Sequence, residues 1–548
     1  MMRIGGRSKS RVTGARRDCG CRGGELLCLL LLLFSGLLCS AQIAATQDAQ
    51  ASQVQARTQP QAQPLTRDFR QTLTSAFAGM TLQSQQAEPA NPPEAGAPEN
   101  KISPKQAEEL FRSVDEILAF VSKDTGLPIK DKVKRKLANR DEVEKYITRH
   151  MQEDKDAQRL ERSAVSLKKL GLLPRDFELR PFLLSLLKEQ VAGFYDSKTK
   201  TVYLLDWVDA DAQRPVLAHE LTHALQDQSY NLNRWTEDSK EAKNDQDEMA
   251  LEEAQSAREA VIEGQAMLVL LDYMLAPSGK SVADSPAIVD AMKSAMVEGG
   301  ETPMFNKAPL YLREALTFPY TFGLDFERQV MAKQGRDGAY KGVFDKPPRD
   351  TRQVMEPETY LADENISELT VPKLDAILKG EYKRYDFGGL GQFDVTMLLW
   401  QWYGKQTGAQ LPHAWRGGYY FTYERAGHPY VLVSLTRWAT QEAAKEFASL
   451  YAGSLVKRYQ SVAEVASSRN GSGEWKTEEG PVEISTSGPF VIAIEGLTGD
   501  ERTRVRHAIE STFIAEPHPA KTALRPEMPF PLEPIITSRE NYQAPQGR

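Results

Sequence analysis

Val216-Leu-Ala-His-Glu-Leu-Thr-His-Ala-Leu-Gln-Asp-Gln228 places His219 and His223 one helical turn apart, with Glu220 between them. Pro215 suits a first helical turn, Ala218 and Ala224 raise helix propensity, and Leu217, Leu221, Ala224 and Leu225 recur at helical spacing. Residues at i and i+4 of a helix project side by side. Both imidazoles can therefore reach one Zn²⁺ at roughly 2.0–2.1 Å, and Glu220, angled off the first ligand, is placed to hydrogen-bond a water at the metal. The plainer reading is a chance match on a solvated helix face. Against it, the chain has only seven histidines, and the leucine-rich flanks imply a buried helix, where two histidines need partners.

The segments on either side complete a site. Before the motif, residues 191–206 read as a β-hairpin, two aromatic and β-branched runs around a polar turn from Asp196 to Lys200. It is either an ordinary cover for the core or an edge strand that holds a substrate backbone by strand addition. After the motif, Ala254 to Leu271 reads as a second buried helix, with a stripe of Ala257, Ala260 and Gly264 that suits close approach to the His219 helix. A carboxylate beside that stripe is costly to bury unless paired or coordinated, and a Zn²⁺ site with two histidines still lacks a protein ligand. Glu263 is the expected third ligand. Glu259, one turn earlier and next to Arg258, is the rival and reads as a salt-bridged surface residue.

His219-Glu-Leu-Thr-His223 with a helical Glu263 forty residues further on resembles a gluzincin-type zinc metallopeptidase. The wording around both segments is also similar to bacterial exported metallopeptidase-like proteins, most specifically over 190–275 and more loosely over 105–400. The resemblance implies a mostly α, zincin-like catalytic domain with a short β-hairpin or edge strand, Zn²⁺ as cofactor, and a peptide or protein as substrate. It also implies an oxyanion-stabilising Tyr or His. Tyr320 in Phe318-Pro-Tyr-Thr-Phe-Gly323, a turn-like landmark at a helix start, is the candidate. Thermolysin-like enzymes carry an Asp one turn after the glutamate ligand, where Met267 stands here. Asp227 or Asp272 is the substitute expected to orient a histidine.

The ends of the chain say where such an enzyme would work. Seven basic residues between Arg3 and Arg22 precede an uncharged apolar run from Leu26 to Cys39, too short for a comfortable span, and Cys39-Ser-Ala41 offers a cleavage site. This reads as an export signal over 1–41; membrane anchoring would come only from leaving it uncleaved. All four cysteines lie inside it, so the mature chain has no disulfide or thiolate ligand. The first 41 residues hold seven basic and two acidic side chains, so their removal takes the net charge from −7 to −12. Nucleic acid is an unsuitable partner for so acidic a protein.

Residues 42–102, rich in Gln, Ala and Pro, read as a disordered tether. A helical N-terminal region over 103–187 follows, opened by Ser103-Pro104, in which the run Lys130-Asp-Lys-Val-Lys-Arg-Lys136 is expected to be a solvated face. The catalytic domain is expected over 188–405, with Gly388-Gly-Leu-Gly391 as a turn or hinge. A small α+β module of ββαββα order is expected over 406–516, then a Pro-rich tail over 517–548. The expected function is an exported, zinc-dependent metallopeptidase with Glu220 as general base. The alternative is a non-catalytic cell-envelope protein whose zinc site is structural.

Overall fold

A computed structural model describes residues 101–513, apart from 154, 191–192, 237–241, 285, 299–302, 407 and 470. The expected signal segment, tether and tail lie outside the described residues.

The fold is built around three long helices. The motif helix, Ala210–Tyr230, starts at Asp209, whose carboxylate accepts from the amides of Asp211 and Ala212, and ends at Asn231 in a left-handed conformation. Fourteen consecutive positions from Gln213 contain a single gap in burial, at Arg214, so the helix is enclosed on all sides. Seven of the buried residues, Gln213, His219, Glu220, Thr222, His223, Gln226 and Asp227, are polar, so each needs a partner inside the core. The glutamate helix, Asp245–Leu275, is capped by Asn244 and runs through the same core. It is long and apolar enough to cross a membrane, but 78% of its most apolar window is buried inside the protein, which marks it as a core helix. The tyrosine helix, Leu310–Asp337, carries Pro319 inside it and breaks at Gly335, whose φ of 74° is one that L side chains rarely adopt. Tyr320 is therefore in the body of a helix, not at a helix start.

The small-residue stripe faces a different neighbour from the one its sequence suggested. A Cβ on Gly264 would lie 2.2 Å from the carbonyl oxygen of Gly323, and one on Gly323 would lie 2.1 Å from that of Ala260. The glutamate helix thus meets the tyrosine helix backbone to backbone, leaving the turn that carries Glu263 free to address the motif helix. Gly264→Ala and Gly323→Ala are each expected to lower stability by at least about 1–3 kcal/mol, the usual cost of overpacking. Urea denaturation of the two variants measures it.

The expected hairpin is β2 (Phe194–Asp196) and β3 (Thr201–Leu205), closed by Lys200 at φ 55°. Its sheet has a third member. The basic run read as a solvated face leads into β1 (Lys134–Ala138), which pairs in parallel with β3, so the strand order is β1-β3-β2 and β2 is an edge. Charged residues on an exposed outer strand carry no alternating apolar pattern to read.

The expected fold class, a mostly α domain with one short hairpin and a small ββαββα module after it, needs correction. The C-terminal region holds a seven-stranded antiparallel sheet. Its strands are β4 (Lys383–Gly389), β5 (Trp415–Glu424), β6 (Val431–Trp438), β7 (Val462–Arg469), β8 (Ser472–Thr477), β9 (Gly480–Ser487) and β10 (Phe490–Glu495). Their order is β4-β5-β6-β10-β9-β8-β7. The expectation missed β4, whose closing Gly388-Gly389 had been taken for part of a hinge, and β7 and β8, which are polar strands toward one edge. Strands β6 and β10 at the centre are buried at every position and were recognised because they read as apolar runs. One face of the sheet packs on helix Gln441–Arg458 within the main core, and the other on Leu374, Leu378, Val505 and Ile509. Arg384 of β4 reaches Asp245 at 2.6 Å, tying the sheet to the start of the glutamate helix.

Candidate metal centre

His219 and His223 meet Glu263 at the crossing of the motif and glutamate helices. The two Nε2 atoms are 3.0 Å apart, and Glu263 Oε2 lies 3.2 Å from His219 Nε2 and 3.6 Å from His223 Nε2. Three ligands on a tetrahedral ion at 2.0–2.1 Å would stand about 3.3 Å apart. The observed separations bracket that edge. All three residues are buried, and neither oxygen of Glu263 accepts a hydrogen bond. A buried carboxylate needs a positive partner, which a metal ion at this point or a protonated imidazole supplies. Among the described residues this is the one group of three or more such side chains arranged to hold a metal. Chemically the donor set, two imidazoles and a carboxylate, suits Zn²⁺.

The charges around the cluster follow from burial and from one another. Burial acts to raise Glu263, but His223 and His219 override it and hold the carboxyl down at about 2. Burial acts to lower His223, but Glu263 and Glu220 push it up to about 9. His219 is lowered, chiefly by burial. For Glu220 burial is the leading cause, helped by Glu263, and its carboxyl rises to about 8.

Glu220 is held by the hairpin. The Tyr195 amide donates to its Oε2 at 2.8 Å, while Oε1 is buried and accepts no hydrogen bond. The outward amide of edge strand β2 is thus engaged by Glu220, and Phe194, Tyr195 and Asp196 are all buried. The hairpin in turn is latched to the motif helix through Asp227, which accepts from the Tyr195 hydroxyl at 2.8 Å and from Lys200 Nζ at 2.5 Å. The Tyr320 ring lies 6.2 Å from the His219 ring at an interplanar angle of 21°. Its hydroxyl is raised well above 10, first by burial and then by Glu263 and Glu220. His219, His223, Glu263, Glu220 and Tyr320 are therefore brought together.

The expected histidine partners are not where the sequence put them. Asp227 serves the hairpin, and Asp272 accepts from Arg336 at 2.9 Å and from the Val282 amide at 2.6 Å. The residue that meets His223 Nδ1 is Gln226, with Oε1 at 2.9 Å. It stands three residues on from His223, on the same helix face, and that spacing was the signal that could have found it. His219 Nδ1 has no hydrogen-bond partner. Glu259, the rival ligand, accepts from Gln255 at 3.4 Å and lies outside the metal-holding group.

Residues 382–506 match the family described as Domain of unknown function (DUF8575). The stretch takes in all seven strands of the large sheet, so it covers a unit that starts with β4. The residues of the candidate centre lie outside it. No curated protein and no solved structure matches the chain.

Proposed function

We propose that the protein is an exported, zinc-dependent metallopeptidase. The observation that supports this best is Glu220: a carboxylate anchored through one oxygen to a backbone amide, with its other oxygen buried and unbonded beside a cluster of metal-ligand type. His219, His223 and Glu263 would hold Zn²⁺. When bound, the ion supplies Lewis acidity for activating water and polarising a carbonyl.

The chain's own residues do the rest. Tyr195 fixes the rotation of Glu220, so Oε1 is the atom that takes up a proton from water and later gives it to the leaving amine. Tyr320, kept protonated and interacting with Glu263 in this structure, carries the hydroxyl that would turn to a developing oxyanion. Export rests on the basic N-terminal run and the short apolar segment after it.

One observation favours a second reading. His219, Glu220, His223 and Glu263 are only 0–3% exposed, as befits a closed structural zinc site in a non-catalytic cell-envelope protein. Metal analysis of the purified chain, with casein or peptide-library digestion before and after chelation, separates the two. Zinc at one equivalent with chelator-sensitive cleavage is the result expected; zinc without cleavage would favour the structural site, and no zinc would end both readings.

The ligand assignment has its own test. Glu263→Ala is expected to weaken zinc binding by at least the roughly 10–100-fold that follows loss of a residue merely supporting a ligand, while Glu259→Ala keeps its zinc. Zinc content of both purified variants decides the matter.

A further inference from the structure

Behind His223 lies a chain of buried amides. His223 Nδ1 is 2.9 Å from Gln226 Oε1; Gln226 Nε2 is 3.2 Å from the Ile262 carbonyl and 2.9 Å from Gln265 Oε1; Gln265 Nε2 is 2.7 Å from the Ala339 carbonyl. His223, Gln226 and Gln265 are all 0% exposed, so solvent cannot stand in for any member.

The two backbone carbonyls give this chain one direction. A carbonyl oxygen only accepts. Ala339 therefore requires the amide nitrogen of Gln265 to face it, which turns Gln265 Oε1 toward Gln226. The Ile262 carbonyl and Gln265 Oε1 together take both hydrogens of the Gln226 amide, which leaves Gln226 Oε1 for His223. Turning either amide over would set two oxygens against each other at 2.7 or 3.2 Å in a dry interior. We infer that Gln226 and Gln265 are positioning residues, a two-amide relay that fixes a proton of His223 on Nδ1 and turns Nε2 toward His219 and Glu263.

Which ring nitrogen of a histidine can bind a metal is decided by the hydrogen bond the other makes. His219, with Nδ1 unbonded, has no such device. The relay thus sets up one of the two imidazoles in advance. Its far anchor, Ala339, sits in a π-helical turn, Gly338–Gly342, that follows the break at Gly335. Such turns recur where a helix is adapted to a functional task. For zinc affinity the inference rests on the proposed metal centre, whereas the placement of the proton does not.

Histidine ¹⁵N NMR of the full chain reads the proton directly. In both the metal-free and the zinc-loaded protein, His223 is expected to carry a slowly exchanging proton on Nδ1, hydrogen-bonded to Gln226. Its absence from the metal-free protein overturns the relay whatever the metal does. Competition with a chelator then gives the functional size: Gln226→Leu is expected to bind zinc roughly 10–100-fold more weakly, and Gln265→Leu, which takes away the acceptor that orients the Gln226 amide, to weaken it by a smaller factor. Wild-type affinity in Gln226→Leu, with the variant folded by circular dichroism, also overturns it. A wild-type chain that binds no zinc defeats the metal centre instead, and the Nδ1 proton still judges the relay.

Discussion

Glu220→Gln is expected to keep its fold and its zinc and to cleave casein about 10²–10⁴-fold more slowly, the range that general-base action contributes. The hairpin makes the effect specific. The Tyr195 amide, 2.8 Å from Oε2 in the wild type, needs an acceptor. The introduced amide would turn its oxygen to Tyr195 and its nitrogen to the reacting centre, placing a donor where a base is required. Glu220→Asp is not an adequate control, since a shorter side chain cannot keep both the Tyr195 bond and the reach. Peptidase assays on protein of measured zinc content check the result. Undiminished activity would remove Glu220 from the mechanism.

The second large effect is expected away from the candidate centre, where the sheet is fastened to the helical region. Glu495 of β10 accepts from Arg458 at 2.8 Å and from the Tyr451 hydroxyl at 2.6 Å, and it also bonds the Tyr459 hydroxyl. Lys169, from the N-terminal helices, lies 3.9 Å from it, and Arg458 donates to the Lys169 carbonyl at 2.8 Å. The Arg458 and Glu495 side chains are each 1% exposed. Taking away one partner of such a pair leaves the other charged and buried, at a cost of about 3–5 kcal/mol. Glu495→Ala and Arg458→Ala are each expected to lose that much in urea denaturation, and the double change to apolar residues less than either.

The same pair predicts an acid limb. Burial acts to raise the Glu495 carboxyl, but Arg458 and Lys169 override it and bring it from 4.5 to about 2. A carboxylate lowered in the folded state stabilises fully above its unfolded value and loses that contribution as pH falls. The window is therefore from about pH 4.5 down to about 2. Across it, stability of Glu495→Gln should fall less steeply than wild type, by the share of one proton.

How much of this was legible in the chain depended on whether the deciding residues touch each other along it. The motif helix, its histidine spacing and the hairpin ahead of it are local patterns, and all three are where the sequence put them. Glu263 was reached by a mistaken route: the stripe of Ala260 and Gly264 fits Gly323, in a helix about sixty residues on, and no local pattern names that neighbour. The histidine partner was missed because carboxylates were sought where an amide stands. The large sheet was half visible, because central strands must be apolar whereas β4, β7 and β8, like β1 in the small sheet, owe their place to pairing, which leaves charges and glycines free to occur.

The contact of Gly264 with Gly323 has a mechanical consequence. Where two backbones touch with no side chain between them, there is no soft layer to compress, and a carbonyl lodged in the notch of the facing residue acts as a pin against sliding. Glu263 is the residue next to that pin, so its position is inherited from the frame and not from the play of its own neighbours. Glu220 is held differently, by the Tyr195 amide of a hairpin that is itself tied to Asp227 through the Tyr195 hydroxyl and Lys200.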